Sequence, residues 1–386
     1  MKLVYLDNAA TTPLDPEVFE AMKPFMLEHF GNPSSTHAYG REVKAAIESS
    51  RKNIAQMMNC VPGEIIFTSG GTEADNTLIR GYVETYGIKN IISSPIEHHA
   101  VLHTLEMLEQ RNIAQVHFVK LDELGHIDYD DLESLLQRFP GSLVALMQAN
   151  NEIGNLLDIE RVGELCLRFD AIFQSDTVQA VAHYRHNLKD LKIHGLTASA
   201  HKFHGPKGIG FMYVRKDKKN NPLILGGLQE RGMRGGTEFS YGIMGIAKAM
   251  ELAYRYMDEH KIYIQELKSR MIDGLKKGIP NLAFHGDSEN LNRSLYTVLN
   301  VSLPESDKND MLLFNLDLAG VSASGGSACA SGATQGSHVL KALNPESKRG
   351  AVRFSFSKYT TANDVDFATK KLTEILTLKL PAPVIA

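Results

Sequence analysis

Between Glu64 and Val214, short apolar runs alternate with stretches of helical periodicity, and this alternation limits the fold more than any other feature of the sequence. Such a pattern is typical of an α/β domain built on a mostly parallel sheet. The predicted strands are EIIFTS, NIISS, QVHFVKL, SLVALMQ, AIFQSD, LTASAH and IGFMYV. The predicted helices begin at about Glu73 and lie near 101–110, near 129–139 and in DIERVGELCLRF.

The pattern changes after Thr237, where one long helical stretch covers about 240–278. Further strands are predicted in SLYTVLNVSL and AVRFSF. We expect these segments to form a second, smaller α+β domain. The long helix is predicted to bridge the two cores, because a periodic pattern of this length exceeds the face of one domain.

Composition excludes several classes of protein. The chain has 386 residues, of which 43% are hydrophobic and 22% charged, with a formal net charge of -4. Disorder, collagen-like repeats and a disulfide-built mini-fold are therefore excluded. The mild acidity provides no broad basic surface for nucleic acid or an anionic membrane. A local basic patch at 215–219 is an alternative that the sequence allows, although a solvated turn is the simpler interpretation of this segment.

Three cysteines occur, Cys60, Cys166 and Cys329, and none has CxxC spacing. This number and spacing disfavour a disulfide framework and a cysteine-built zinc site. The start MKLVYLDNAATTP lacks the apolar core of a secretory signal, and no run reaches the ~20 apolar residues of a membrane span. We therefore expect a cytoplasmic protein.

The segment Thr68–Glu73, TSGGTE, joins a predicted strand to a predicted helix through paired glycines. Such a turn presents backbone N–H groups and hydroxyls at the positive end of a helix dipole, which favours anion binding. An ordinary capped helix is the alternative. The segment matches neither GxGxxG nor GxxxxGK[ST]. The interpretations as a nicotinamide-dependent dehydrogenase and as a protein that binds nucleoside triphosphates therefore lose their main support.

Two further segments place chemistry at the ends of predicted strands. Lys202 lies in SAHKFHGPKG, where partial burial would lower the pKa of its amine and make it a nucleophile toward carbonyls. Asp176 ends AIFQSD, at the edge where α/β proteins place ligand groups, and could pair with a cationic ring nitrogen. The alternatives are a surface-loop lysine and a helix N-cap aspartate.

Cys329 lies in a Gly/Ser/Ala-rich stretch, VSASGGSACASGATQGSH, that offers little to bury. An exposed thiol is suited to a nucleophile that travels, whereas Cys60 and Cys166 have apolar neighbours typical of core sites. An incidental cysteine in a flexible loop is the alternative. His98, His99 and His103 allow either a metal site or a ring stacked on a planar ligand, and the metal interpretation lacks a third ligand of matching spacing.

In chain order, ten segments resemble the cysteine desulfurases of the NifS/IscS-like group, within the class V aminotransferase family of fold-type I pyridoxal phosphate enzymes. They are LDNAATTP, GNPSSTHAYGRE, FTSGGTEADN, EHHAVL, ANNEIG, SDTVQ, SAHKFHGPKGIG, ERGMRGGT, SGGSACAS and VRFSFS. The resemblance implies a large domain over 15–256 with a mostly parallel seven-stranded sheet. The small α+β domain would comprise 1–14 and 257–386 and carry the catalytic-cysteine loop at about 321–336.

The resemblance also implies the roles of particular residues around pyridoxal 5'-phosphate. Lys202 would form the Schiff base, Asp176 would hold the ring nitrogen protonated, and Gln179 would bond the ring hydroxyl. His98 would stack on the ring and is counted as catalytic with Lys202 and Cys329. The implied phosphate ligands are Gly71, Thr72, Ser199, His201 and the partner subunit's Thr237. The implied ligands of the substrate carboxylate are Arg353, Asn151 and Asn32.

The implied activity is that of a cysteine desulfurase, a sulfurtransferase that converts L-cysteine to L-alanine. Lys202 would move the α-proton, and the Cys329 thiolate would take the sulfur as a persulfide. SGGSAC in a long loop resembles the group I enzymes. A homodimer with shared active sites is implied, with an acceptor protein, either an Fe–S scaffold or another carrier.

Two departures from the family pattern concern the surroundings of the site and the acceptor. Gln174 stands where many relatives have histidine. The chain also lacks, after VRFSFS, the extended tail with which IscS-type proteins dock their scaffold. The rival interpretations are an aminotransferase or selenocysteine lyase of the same family, and a non-catalytic sulfur carrier or scaffold that keeps the fold for binding.

Overall fold

The computed structural model describes residues 2–325 and 336–377. Contacts between residues group the chain into two compact units. The larger unit is Thr11–Asn150 with Leu156–Asp258, and the smaller comprises the described residues of Met1–Ala10, Asn151–Asn155 and Glu259–Ala386. Compactness does not establish independent folding, so the domain boundaries at 14 and 256 stay a prediction.

The strands in residues 2–325 and 336–377 fall into three sheets. In chain order they are β1 (Val4–Tyr5), β2 (Ile65–Thr68), β3 (Asn90–Ser93), β4 (Gln115–Phe118), β5 (Leu143–Ala145), β6 (Ile172–Ser175), β7 (Gly195–Ser199), β8 (Gly210–Val214), β9 (Ala283–Phe284), β10 (Val298–Leu303), β11 (Val321–Ser322) and β12 (Gly350–Ser355). The larger unit holds a seven-stranded sheet in the order β2-β8-β7-β6-β5-β3-β4. Strand β8 is antiparallel to β2 and to β7, and the other neighbours are parallel. The predicted mostly parallel sheet is confirmed.

Helices cover both faces of this sheet. Those of the larger unit are α1 (Pro16–Leu27), α2 (Ala38–Met57), α3 (Gly71–Tyr86), α4 (His99–Gln110), α5 (Tyr129–Arg138), α6 (Ile159–Arg168) and α7 (Ser240–Arg255). Alternate residues of one strand join different apolar clusters: Ile65 and Phe67 belong to one, and Ile66 to the other. Burial of both faces explains why the strands appear in the sequence as continuous apolar runs.

The described part of the smaller unit combines short sheets with helices. Strand β10 pairs antiparallel with β9 and β12, and β1 pairs parallel with β11. Its helices are α8 (Met257–Gly278), α9 (Leu312–Leu318), α10 (His338–Leu343) and α11 (Ala362–Thr377). The first two residues of α8 belong to the larger unit. No helix in 2–325 or 336–377 is both long enough and apolar enough to cross a membrane.

The single helix predicted over 240–278 is wrong, because the structure has two helices with a break at Tyr256. Tyr256 has φ -109° and ψ 15°, and its N–H still donates to the Leu252 carbonyl at 3.1 Å. Leu252 and Met257 are both buried although they are five positions apart, a spacing that no single helix face provides. The break lets each helix bury its own apolar face.

A buried ion pair fixes β2 against α2 in the larger unit. The Arg51 guanidinium donates to both carboxylate oxygens of Glu230, at 2.7 and 2.8 Å, and to the Ile65 carbonyl at 2.7 Å. Glu230 also accepts a hydrogen bond from the Phe67 N–H at 2.8 Å. Each charged side chain is 3% exposed, so removal of one partner leaves the other buried and uncompensated.

We expect Arg51→Met to lower the free energy of unfolding by about 3–5 kcal/mol, because the Glu230 carboxylate loses its cation. Urea unfolding of the purified variant measures this loss. The double variant Arg51→Met/Glu230→Gln should recover part of the stability. An exposed pair on α7, Glu251 with Arg255, provides the control, and Arg255→Met should cost less than about 1 kcal/mol. Equal losses for the two single variants would contradict the role of burial.

Lys268 of α8 is fully buried in the smaller unit. Its ammonium donates to Ser294 Oγ at 2.8 Å and to the Leu295 carbonyl at 3.1 Å. Burial lowers the pKa of Lys268 to about 7. In the unfolded chain the amine keeps its ordinary, higher pKa, so between pH 7 and about 10 the unfolded state binds the additional proton.

The contribution of Lys268 to stability should therefore rise with pH from about 7 to about 10, by at most about 1.4 kcal/mol per pH unit. Urea unfolding at several pH values would measure the difference between the parent and Lys268→Met, whose neutral side chain removes this titration. The exposed Lys276 of the same helix is the control, and Lys276→Met should leave the slope unchanged. A parent slope identical to that of Lys268→Met would refute the assignment.

Candidate active site

The carboxyl ends of β2, β3, β5, β6 and β7 lie at one edge of the seven-stranded sheet, because these strands share one direction. At this edge, β2 leads into α3 through Gly70 and Gly71. Gly70 has φ +154°, a backbone conformation that other residues rarely adopt. A Cβ on Gly71 would lie 2.5 Å from Val178 Cγ2. Both positions therefore require glycine.

The first turn of α3 has the features of an anion site. Gly70 is the N-cap and supplies no side-chain cap, so the capped-helix alternative does not describe this turn. The first N–H groups of a helix have no acceptor within it and lie at the positive end of its dipole. Ser199, at the end of β7, is 4% exposed, and its Oγ lies 3.5 Å from a Cβ built on Gly70. The helix start and a serine hydroxyl thus meet at the glycine turn.

Asp176 directly follows β6 and is 5% exposed. Its Oδ1 accepts a hydrogen bond from the Val178 N–H at 2.9 Å and lies 3.5 Å from Thr197 Oγ1. A hydrogen-bonded turn follows, with the Ala180 N–H donating to the Thr177 carbonyl, so Asp176 does not cap a helix there. Gln179 lies on this turn and is 6% exposed. The edge of the sheet therefore holds a buried carboxylate.

Lys202 ends the short 3-10 turn Ala200–Lys202 that follows β7, and it is half-buried. Thr12 of the N-terminal segment forms hydrogen bonds with this turn and with the residues after it. The Thr12 N–H and Oγ1 both donate to the His201 carbonyl, at 2.9 and 3.0 Å, and Thr12 Oγ1 accepts from the His204 N–H at 2.8 Å. His204 has φ +66°, a strained conformation for a residue with a side chain. Lys202 is thus carried on a clamped turn, unlike a lysine in a free surface loop.

His201 and His98 frame the same edge. His201 Nδ1 lies 3.1 Å from Thr11 Oγ1, and burial, helped by the charges of Lys202 and Lys207, lowers its pKa to about 4. His201 is therefore neutral at neutral pH. His98 caps α4, and its Nδ1 accepts a hydrogen bond from the Ala100 N–H at 3.1 Å, which holds the ring at the helix start.

The His98, His99 and His103 cluster does not form a metal site among the residues that the structure describes. His99 and His103 share a face of α4, with ring centroids 4.9 Å apart. In the described parts of the chain, no group of three or more His, Cys, Asp or Glu side chains has a metal-binding arrangement. His98 Nδ1 accepts the hydrogen bond that caps α4.

The smaller unit brings Arg353 and Asn151 together. Arg353 of β12 is 1% exposed, and its guanidinium donates to the Asn151 carbonyl at 2.9 Å and to Asp7 Oδ1 at 2.9 Å. The Arg353 Nε is buried with no hydrogen-bond partner in the described residues. Sequence reasoning did not assign a role to Asp7, although it lies in the quoted LDNAATTP segment.

Three further predicted site residues are Asn32, Thr237 and Cys329. Asn32 is exposed in the larger unit, and its Oδ1 accepts from the Ser34 N–H at 2.9 Å. Thr237 is exposed in the single chain. Cys329 lies outside the described residues, together with most of the predicted loop at about 321–336. Sequence reasoning also assigned no role to Thr12 or Asp75, which lie in the quoted LDNAATTP and TEADN segments.

Comparison with known proteins gives a family for this geometry. Residues 4–367 match the model of the family described as Aminotransferase class-V. The chain belongs to the class V aminotransferase family. It is 43% identical over 378 residues to "Cysteine desulfurase IscS" of Dictyoglomus turgidum, and the aligned region covers 97% of this chain and 94% of the relative.

Solved structures agree with this membership. A structure described as "NIFS-LIKE PROTEIN" has a TM-score of 0.89 and 36% identity and covers 97% of this chain and 99% of its own. A second, "SspA in complex with cysteine", has a TM-score of 0.77 and 29% identity and covers 93% of this chain and 100% of its own. The predicted fold-type I architecture is confirmed.

The cofactor of this family is pyridoxal phosphate, and the residues at the sheet edge suit it chemically. The N–H groups at the start of α3 suit a phosphate. A side chain at position 71 would clash with Val178 there, so glycine keeps the backbone accessible. A buried carboxylate, Asp176, suits a protonated ring nitrogen, and Lys202 lies on the adjacent turn after β7. The arrangement therefore fits the family's cofactor.

We expect Thr12→Val to weaken pyridoxal phosphate binding about tenfold, because the Lys202 turn loses the hydroxyl that bonds both His201 and His204. Equilibrium titration of the apoprotein with pyridoxal phosphate, followed by absorbance, measures the affinity. Thr12→Ser keeps the hydroxyl and is the matched control, with an affinity close to that of the parent. If Thr12→Val binds the cofactor as the parent does, the clamp has no part in positioning Lys202.

Proposed function

We propose that this chain is a cysteine desulfurase, which converts L-cysteine to L-alanine and passes the sulfur as a persulfide to Cys329. The observation that carries the proposal is the 43% identity to a cysteine desulfurase over 97% of the chain. The aminotransferase and selenocysteine lyase alternatives share the cofactor site, whereas the relative at 43% identity is named a cysteine desulfurase. The buried Asp176 and clamped Lys202 support a catalytic protein over a non-catalytic carrier.

We propose the roles of residues at the cofactor from the family resemblance, and the placement of Asp176, Ser199 and Lys202 at one edge of the sheet supports them. When bound, pyridoxal phosphate supplies an electron sink for the substrate's α-carbon. Lys202 would hold the cofactor and would move the α-proton of the substrate, while Asp176 would hold a proton at the ring nitrogen. Gln179 would bind the ring hydroxyl, and His98 would lie against the ring. The phosphate would be held by the helix start and neighbouring polar groups, namely Gly71, Thr72, Ser199 and His201.

In the smaller unit, Arg353 is proposed to bind the substrate carboxylate, with Asn151 and Asn32 assisting. The fully buried guanidinium suits the planar carboxylate of an amino acid. Its buried Nε has no hydrogen-bond partner among the described residues. The Asn151 carbonyl already orients one side of the guanidinium.

Cys329 is proposed as the acceptor of sulfur because the other two thiols are poorly suited. Burial, and then the Glu64 charge, raises the pKa of Cys60 to about 12. Burial also raises the pKa of Cys166, which is fully buried. In the reaction the Cys329 thiolate attacks the substrate sulfur, an S–S bond forms and the C–S bond breaks. The electron pair of that bond stays with the carbon fragment, which takes up protons to become alanine.

A homodimer is proposed, in which the partner subunit's Thr237 completes the phosphate site. Support comes from large apolar side chains that are exposed in the single chain. Those near α1 and α2 are Phe19, Met26, Leu27, Phe30 and Tyr39, and Leu225 and Leu228 are 81% and 90% exposed. Exposed apolar surface of this kind marks interfaces between protein chains.

The sulfur acceptor is proposed to be another protein, either an Fe–S scaffold or a carrier for other sulfur-containing cofactors. The basis is the relative named IscS and the proposed persulfide, which needs a thiol acceptor to complete the cycle. The cytoplasmic location stays a prediction.

The Cys329→Ala variant tests the proposed function. We expect the pyridoxal phosphate-loaded parent to release alanine from L-cysteine in the presence of a dithiol, and Cys329→Ala to release almost none, because the sulfur has no nucleophile to receive it. Amino acid analysis of the mixture measures the alanine. Cys60→Ala, which removes a thiol of raised pKa, is the control and should keep the parent's rate.

Other outcomes lead to different assignments. Equal alanine release by the parent and Cys329→Ala would contradict the persulfide step and indicate direct elimination or lyase chemistry. Absence of alanine from both, with transfer of the amino group to a keto acid, would support an aminotransferase. A parent preference for L-selenocysteine over L-cysteine by more than tenfold would identify a selenocysteine lyase.

A further inference from the structure

The strongest observation beyond the proposed roles is that one carboxylate oxygen, Asp7 Oδ1, binds two side chains. It accepts a hydrogen bond from Arg353 Nη2 at 2.9 Å and another from Ser324 Oγ at 3.0 Å. All three residues belong to the smaller unit. Asp7 therefore connects the proposed ligand of the substrate carboxylate to the part of the chain that directly follows β11.

The backbone fixes the position of Asp7 from two sides. Directly before it, the Leu6 N–H donates to the Ser322 carbonyl at 2.9 Å, and the Leu6 carbonyl accepts from the Ser355 N–H at 2.7 Å. Asp7 itself pairs with Ser355 in a parallel bridge. The segment that carries Asp7 thus lies between β11 and β12, the strand that carries Arg353. The Asp7 side chain is 18% exposed.

Ser324 and Arg353 also pair through their backbones. The Arg353 N–H donates to the Ser324 carbonyl at 2.6 Å, and the Ser324 N–H donates to the Arg353 carbonyl at 3.2 Å. Each of Asp7, Ser324 and Arg353 therefore contacts the other two. A side chain whose partners are themselves held in place has less freedom than one in an isolated ion pair.

The Arg353 guanidinium is held at both of its terminal nitrogens. Nη1 donates to the Asn151 carbonyl at 2.9 Å, Nη2 donates to Asp7, and the side chain is 1% exposed. The guanidinium is planar, so contacts at two nitrogens fix the direction of its plane. A carboxylate binds this plane best when its two oxygens face two N–H groups. The orientation of Arg353 therefore matters for carboxylate recognition.

We propose that Asp7 is a positioning residue that orients Arg353 for the substrate carboxylate, with Ser324 holding the Asp7 carboxylate in place. Asp7 acts through Arg353. The inference rests on the proposed function, in which Arg353 binds the carboxylate of an amino acid. Ser324 lies five positions before Cys329 in the sequence, so the same oxygen links the substrate's anchor to the chain that leads to the proposed nucleophile.

The competing interpretation of Asp7 is a counter-ion that the substrate carboxylate must displace from Arg353. The two interpretations predict opposite changes. Loss of a positioning residue weakens the binding of a carboxylate, because the guanidinium is no longer held in the productive orientation. Loss of a competing anion strengthens that binding, because the buried cation then lacks a carboxylate partner.

The affinities of L-alanine and ethylamine distinguish these interpretations, because ethylamine is the same amine without the carboxylate. Both are titrated into the pyridoxal phosphate-loaded protein, and the absorbance of the cofactor reports binding. In Asp7→Ala we expect L-alanine to bind about tenfold more weakly, and ethylamine to bind within about twofold of the parent. Unchanged or tighter binding of L-alanine would overturn the proposal.

Three further variants control for charge and for general damage. Asp7→Asn keeps an oxygen that accepts from Arg353 and Ser324, so it should bind L-alanine within about twofold of the parent. Ser324→Ala should weaken L-alanine binding about threefold and leave ethylamine binding unchanged. Asp366, in an exposed pair with Arg270, is the matched control, and Asp366→Ala should change neither affinity. Equal losses in Asp7→Asn and Asp7→Ala would contradict positioning by the oxygen.

Urea unfolding of the apoprotein tests the contact without cofactor or substrate. Asp7→Ala should lower the urea midpoint, because the buried Arg353 guanidinium loses its carboxylate partner. The same substitution should lower the midpoint less in an Arg353→Met background, since the pair is already broken there. Equal losses in the two backgrounds would show that Asp7 does not act through Arg353, and the proposal would fail.

The two proposals fail in different ways. If the parent binds no pyridoxal phosphate or releases no alanine from L-cysteine, the proposed function fails, and the unfolding measurements still decide whether Asp7 acts through Arg353. If the parent releases alanine but Asp7→Ala binds L-alanine as the parent does, the function holds and the inference about Asp7 fails. Should Asp7→Ala not fold, Ser324→Ala decides: a loss confined to L-alanine supports the proposal, and parent-like affinity overturns it.

Discussion

Burial of six strands of the seven-stranded sheet, all but the edge strand β4, is the constraint on which the rest of the larger unit depends. Apolar side chains fill both faces, as the division of neighbouring residues Ile65 and Ile66 between two clusters shows. The polar groups of the candidate site lie at the edge where the strands end. Asp176, Ser199 and the glycine turn before α3 meet at that edge because their strands share one direction.

Burial at this edge gives the site its electrostatic character. A carboxylate away from water needs donors, and Asp176 has the Val178 N–H and the Thr197 hydroxyl. The neighbouring acids Asp75 and Glu97 have raised pKa values, so little negative charge accumulates around Asp176. His201, with its lowered pKa, adds no positive charge at neutral pH.

The main elements and the family motifs could be predicted from the sequence. The strand and helix pattern over 64–214 agrees with the structure because burial of both sheet faces produces uninterrupted apolar runs. The helix over 240–278 was wrong, since periodicity cannot show that Leu252 and Met257 face buried surfaces on either side of a break at Tyr256. The arrangement that clamps Lys202 was also beyond prediction, because Thr12 and His204 are 192 positions apart.

The sequence by itself determined the alternation of strands and helices along 64–214 and the two glycines of the turn. It also placed Lys202, Asp176 and Cys329 in segments typical of one family. Only the tertiary structure decided the partners of the buried polar groups. Gln174 reaches Asp75 across 99 positions, and Arg51 reaches Glu230 across 179. Local sequence encodes backbone preference and periodic burial, whereas the partner of a buried donor depends on which distant elements pack beside it.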